Sequence, residues 1–112
     1  MTAPVKFEIE TRSEGAEVTL SVRGELDMGT VAPLSDRVSD ELEAAPERVT
    51  LDLRELQFMD STGLRLLIEL NQRSRTEGWD LRLVYPVHEA ALLVLRCTGA
   101  DAALPFTPAQ RP

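Results

Sequence analysis

The chain has one cysteine, Cys97, one histidine, His88, and few aromatic residues: three phenylalanines, one tyrosine and one tryptophan. A lone cysteine excludes an internal disulfide and any multi-cysteine metal site, and it reads as a small buried hydrophobe rather than a reactive thiol. So few rings leave the core to leucine and valine. No apolar run approaches the roughly 20 residues of a membrane span, and the opening Met1-Thr2-Ala3-Pro4-Val5-Lys6 has no signal-peptide core. The expected location is the cytoplasm. Basic residues number 12 against 19 acidic ones, a net charge of −7, and they are scattered along the chain. That balance argues against nucleic acid or an anionic membrane as the main partner, since both need a basic footprint. It favours solubility and a partner with a positive docking face.

Catalytic constellations are missing too. His88 stands after Pro86 at a helix start, without a serine or acid at a suggestive spacing, and reads as a surface or capping residue. There is no glycine-rich phosphate loop. Asp60-Ser61-Thr62-Gly63 is one residue too long for an Asp-Thr-Gly or Asp-Ser-Gly protease motif, and Glu10-Thr11-Arg12 lacks the acidic pair of a response receiver. Neither an enzyme nor a metal or cofactor site is expected.

What is present suits one soluble domain over residues 1–112, with 43% apolar and 28% charged residues and no repeat or internal boundary. Val5 to Glu10 and Glu17 to Arg23 alternate apolar and polar residues, the period of a half-buried strand, and Glu14-Gly15 supplies the turn of a hairpin. Gly24 to Thr30 reads as a loop ending in a helix N-cap at Thr30, with Pro33 in the first turn. Val31, Leu34, Val38 and Leu42 form that helix's apolar stripe, and Pro46 stops it near Ala45.

Arg48 to Leu53 alternates again, and a loop from Arg54 to Met59 leads to a second helix. Its buried face takes Leu64, Leu66, Leu67, Ile68 and Leu70, and its exposed face takes Arg65, Glu69 and Arg73, with Glu69 and Arg73 spaced as an ion pair. Gly78 ends it. A strand from Leu81 to Tyr85 is broken by Pro86, and a third helix from about Val87 to Thr98 stops at Gly99. Leu104-Pro105-Phe106 reads as a short last strand, and 107–112 as a frayed tail.

Strand–helix–strand units imply parallel pairing and right-handed crossovers. Three strands alternate cleanly, so one sheet face is expected to be uncovered. The fold class is α/β: two layers, a mostly parallel sheet of four or five strands with an N-terminal hairpin, and helices predominantly on one face.

Asp60-Ser61-Thr62-Gly63 opens the second helix at the C-terminal end of a parallel strand, the edge where open α/β sheets place their active loops. Either Asp60 or Ser61 serves as its N-cap. A phosphate on Ser61 would lie near unpaired amides and the positive helix end. By itself the segment is a capping sequence. The longer run Phe58-Met59-Asp60-Ser61-Thr62-Gly63-Leu64, however, resembles the phosphoacceptor motif of the STAS-domain anti-sigma-factor antagonists. Gly24-Glu25-Leu26-Asp27 resembles the loop beside it in that family, and Val49-Thr50-Leu51-Asp52-Leu53 and Cys97-Thr98-Gly99-Ala100-Asp101 also fit.

The resemblance implies a two-layer STAS fold and a partner switch. In that family the unphosphorylated antagonist binds an anti-sigma factor that is also a serine kinase, which releases the sigma factor. Phosphorylation by that kinase ends the interaction, and a phosphatase restores it. Carried over by motif, Ser61 is the phosphoacceptor, Asp27, Asp60 and Thr62 shape its surroundings, and Glu25 and Gly63 border the docking surface. Thr62 stands where relatives often carry a serine or a small residue. The resemblance implies neither a cofactor nor a metal. A scaffold subunit of a stress-signalling complex, or a cytosolic partner of a membrane transporter, is the alternative within the same fold.

Overall fold

Apolar residues at every second position give the central strand one dry side, and the rest of the fold is built on that side. The computed structural model describes residues 5–107. Their order is β1 (Glu8–Glu14), β2 (Glu17–Leu26), α1 (Val31–Leu42), β3 (Arg48–Asp52), β4 (Leu56–Met59), α2 (Ser61–Glu77), β5 (Asp80–Val84), α3 (Glu89–Thr98) and the four-residue α4 (Ala100–Ala103). Along β2 the side chains of Val18, Leu20, Val22 and Leu26 are buried. Val49 and Leu51 of β3 and Leu81 and Leu83 of β5 join them. The strand order is β1-β2-β3-β5, and only the β1–β2 hairpin is antiparallel.

The opposite sheet face is polar, as the alternation requires. Glu17, Arg48 and Asp80 stand side by side on three neighbouring strands. Arg48 joins the two acids, at 3.4 Å to Glu17 and 2.9 Å to Asp80. The helices supply apolar stripes to the dry face: Leu34 and Val38 from α1, Leu64, Leu67 and Leu70 from α2, and Ala91, Leu92 and Leu95 from α3.

Several local expectations are corrected. β1 is Glu8–Glu14 rather than Val5 to Glu10, because the hairpin stays paired up to its two-residue turn, where Gly15 takes φ +59°. β2 continues through Leu26 instead of looping out at Gly24. Its last residues pair in parallel with β4, a strand formed by residues expected to be loop. The ladder shifts between Gly24 and Glu25, and Gly24 there has φ +98°, with a Cβ position only 2.9 Å from the Phe7 Cα. Glycine alone fits such a bulge.

The first helix ends at Leu42, short of the expected Ala45, which turns left-handed at φ +50°; Pro46 disfavours right-handed helical geometry in the residue before it. The third helix starts at Glu89. Ile68 is 40% exposed and Cys97 is exposed, both beside rather than on their buried stripes. Arg73 binds Glu77 at 2.8 Å and Ser39 at 2.8 Å, one turn later than the expected pair with Glu69. Phe106 bridges to Leu83 as the last short strand. Pro105 contributes only its carbonyl there, accepting the Leu83 amide at 3.0 Å, and Thr107 donates its amide to Leu83 at 2.9 Å. Thr107 is therefore tied to the sheet edge, and 108–112 of the expected tail lie outside the described residues.

Candidate functional site

Two parallel strands end together at the site. Leu26 of β2 pairs with Met59 of β4, so Asp27 and Asp60 follow at adjacent strand ends, about 5 Å apart in backbone spacing. The Asp60 amide donates to the Leu26 carbonyl at 3.3 Å. From there the chain turns directly into α2.

Asp60 is the N-cap of that helix. Its backbone is extended (φ −107°, ψ −171°), and its Oδ1 accepts the amides of Thr62 at 2.9 Å and Gly63 at 3.2 Å. An aspartate here satisfies two amides that the helix leaves open and places a negative charge at the positive helix end. Ser61 is therefore the first helical residue. It is exposed, and its hydroxyl makes no hydrogen bond among the described residues. Thr62 is half-buried beside it.

The Asp27 loop is closed by Thr30, not merely ended by it. Asp27 donates its amide to Thr30 Oγ1 at 2.9 Å, and that hydroxyl donates to the Glu25 carbonyl at 2.7 Å. The carboxylate of Asp27 accepts the Gly29 amide at 2.9 Å. Thr30 does precede α1, yet its side chain makes no capping bond to that helix, because it is spent on the loop. Met28, 80% exposed, is pushed out at the tip.

Of the residues singled out in the sequence, Asp27, Asp60, Ser61 and Thr62 gather at this edge. Glu25 pairs with Phe58 of β4 and, one position before Leu26, shares the open polar face. Gly63 is buried rather than bordering a surface: a Cβ there would lie 2.8 Å from Met59 Cγ and 2.9 Å from both Leu26 Cγ and the Leu26 carbonyl oxygen. Its bareness lets α2 descend onto the paired strand ends. Sequence reasoning missed the role of Thr30 and the exposure of Met28. A hydroxyl three residues after an aspartate was the available signal for the first.

The arrangement offers an accessible hydroxyl next to the Asp60 cap at a strand-to-helix junction. His88, at the N-cap of α3, makes no side-chain capping bond. Among the described residues, no group of histidine, cysteine, aspartate and glutamate could hold a metal ion, and no helix is long and apolar enough to cross a membrane.

Known proteins share this layout. Residues 9–105 match the family described as "Mlab, STAS domain". The anti-sigma-F factor antagonist RsfB of Mycobacterium tuberculosis is 26% identical over 73 residues, which cover 65% of this chain and 60% of that relative's length. The crystal structure of an anti-sigma factor antagonist from Mycobacterium paratuberculosis superposes with a TM-score of 0.74 at 22% identity, covering 96% of this chain and 91% of that one. Unphosphorylated SpoIIAA, an anti-sigma factor antagonist, gives 0.71 at 20% identity, over 91% and 86% of the two chains. At such identities the two structures share the fold.

Proposed function

The chain belongs to the STAS-domain family, and on that premise we propose that it is an anti-sigma-factor antagonist switched by phosphorylation of Ser61. Unphosphorylated, it binds a serine-kinase anti-sigma factor through the edge formed by the Asp27 loop and the start of α2, and the sigma factor is released. Phosphorylated, it lets the kinase go until a phosphatase removes the phosphate. The protein acts by binding and carries no catalysis of its own.

One observation supports this reading: Ser61 is exposed and its hydroxyl makes no hydrogen bond among the described residues, while the amides of Thr62 and Gly63 are already taken by the carboxylate of Asp60. Phosphorylation adds about −1.5 to −2 charges. Two amides of the helix end that normally welcomes an anion are already taken by a carboxylate here, so the new charge meets Asp60 and, at the adjacent strand end, Asp27. Docking desolvates that cluster and raises its cost. Shifting a partner from almost fully bound to almost fully free takes roughly 5.5 kcal/mol, which repulsion, desolvation and the bulk of the phosphate supply together. The name of the relative at 26% identity supports the antagonist part of this reading.

The test is labelling with ATP by the purified anti-sigma-factor kinases of the same genome. One of them is expected to label the chain, and Ser61→Ala to abolish the label while retaining binding. Ser61→Glu is expected to weaken binding. Persistent labelling of the alanine variant would sink the assignment, and equal binding by both variants would remove charge from the mechanism.

A further inference from the structure

Resting on the reading of Ser61 as phosphoacceptor, we propose that Arg65 is the counter-charge that holds a phosphate on Ser61 across one turn of α2. The helix backbone has little left to offer such a phosphate. Asp60 Oδ1 takes the amides of Thr62 and Gly63, and the Asp60 carbonyl takes that of Leu64 at 3.1 Å. Only the amide of Ser61 itself has no acceptor among the described residues of that first turn, so a full counter-charge comes from a side chain.

Arg65 is placed for it. Ser61 and Arg65 are both exposed on α2, and residues four apart on a helix are surface neighbours, their Cβ atoms about 6 Å apart. Helical side chains lean toward the N-terminus, so a residue at position i+4 reaches back over position i. An acid preceding a base by four residues is also the better orientation of such a pair. Arg65 is available: among the described residues it has no ion pair or hydrogen bond, whereas Arg73 on the same helix is held by Glu77 and Ser39. Its guanidinium presents a fork that matches two phosphate oxygens.

Three acids flank this pair. Asp60 adjoins Ser61, Asp27 ends the neighbouring strand, and Glu69 lies one turn beyond Arg65. Asp60 and Asp27 push the phosphate toward its monoanion, and Glu69 competes for the guanidinium as a single charge against a double one. Arg65 opposes this push.

The experiment uses the full chain with phosphoserine installed translationally at position 61, followed by phosphorus NMR titration. The second ionisation of a phosphoserine lies near pH 6. With Arg65 present it is expected lower than in Arg65→Gln by about 0.3 to 0.6 pH units, the scale of a helix ion pair strengthened by a double charge. Arg65→Lys is expected to recover part of the difference. Equal midpoints in the parent and Arg65→Gln chains, or a lysine variant that titrates like the glutamine one, overturn the proposal. The phosphate is installed without a kinase, so failure of any kinase to label Ser61 would overturn the functional reading and leave this result standing.

Discussion

The amide of Asp60 donates to the carbonyl of Leu26 at 3.3 Å, so the cap of α2 hangs from the last residue of β2. The same carbonyl oxygen lies 2.9 Å from where a Cβ on Gly63 would stand. Leu26 thus fixes both the start of the helix and how closely it settles on the sheet. Ser61 sits between these two attachments, and its position is set by strand pairing rather than by a mobile loop.

Asp60→Ala is expected to destabilise the fold by about 1 kcal/mol, the usual cost of a lost N-cap, with Asp60→Asn losing less. Urea unfolding measures both. An alanine variant as stable as the parent would mean that the two amides find another acceptor.

Gly63→Ala is expected to destabilise by about 1–3 kcal/mol through overpacking, although alanine is favoured over glycine in an open helix by roughly 1 kcal/mol. The Met59 side chain can move aside. The Leu26 carbonyl cannot move without breaking the ladder with β4, which decides the sign. A stabilised Gly63→Ala chain in the same urea assay would show that the helix lifts freely.

Thr30→Val removes the hydroxyl that joins Asp27 to Glu25. It removes the acceptor of a half-buried amide and the donor to an exposed carbonyl, at an expected cost of about 0.5–1.5 kcal/mol. Thr30→Ser is expected to keep most of that stability. Hydrogen exchange at the Asp27 amide reports the loop itself and is expected to quicken only in the valine variant.

Acid should loosen the open sheet face first. Burial pushes the Asp52 carboxyl up, but the side-chain and backbone hydrogen bonds from Arg54 outweigh it and hold it below the ordinary aspartate range. Asp80 behaves alike: burial raises it, and Arg48 and Arg82 lower it further than burial lifts it. Carboxyls lowered in the folded state stabilise fully above the unfolded value near 3.9, and that stability is lost as pH falls from there through the folded value. Asp52→Asn is therefore expected to be less stable than the parent at pH 7, with the gap closing below about pH 4. A gap that stays constant from pH 7 to pH 3 would contradict the assigned bonds.

The parts legible in the sequence were those with local causes. Alternation gave away β2, the three-and-four spacing gave away the α1 stripe at Val31, Leu34, Val38 and Leu42, and left-handed glycines at 78 and 99 closed α2 and α3 as expected. What stayed hidden depends on distant partners. β4 is only four residues long and has no clean period, its buried Leu56 and Met59 being three apart. It becomes a strand because the end of β2, past the Gly24 bulge, needs a neighbour. At the site, the residue types of Asp60, Ser61 and Thr62 were readable, but which of the first two caps the helix turned on a single backbone conformation. Gly63 was misread as surface because a glycine's sequence signal does not say whether its bareness faces water or a strand.

β2 runs ten residues, from the Gly15 turn through the Gly24 bulge to the edge that carries Ser61. At about 3.3 Å per residue, its two ends are roughly 30 Å apart. A fluorophore or short tag carried on that turn at Ala16, leaving the left-handed Gly15 as glycine, would stay far from the edge that carries Ser61. The molecule therefore has a built-in handle for immobilisation or distance measurement, from which both states of the far edge can be watched without touching it.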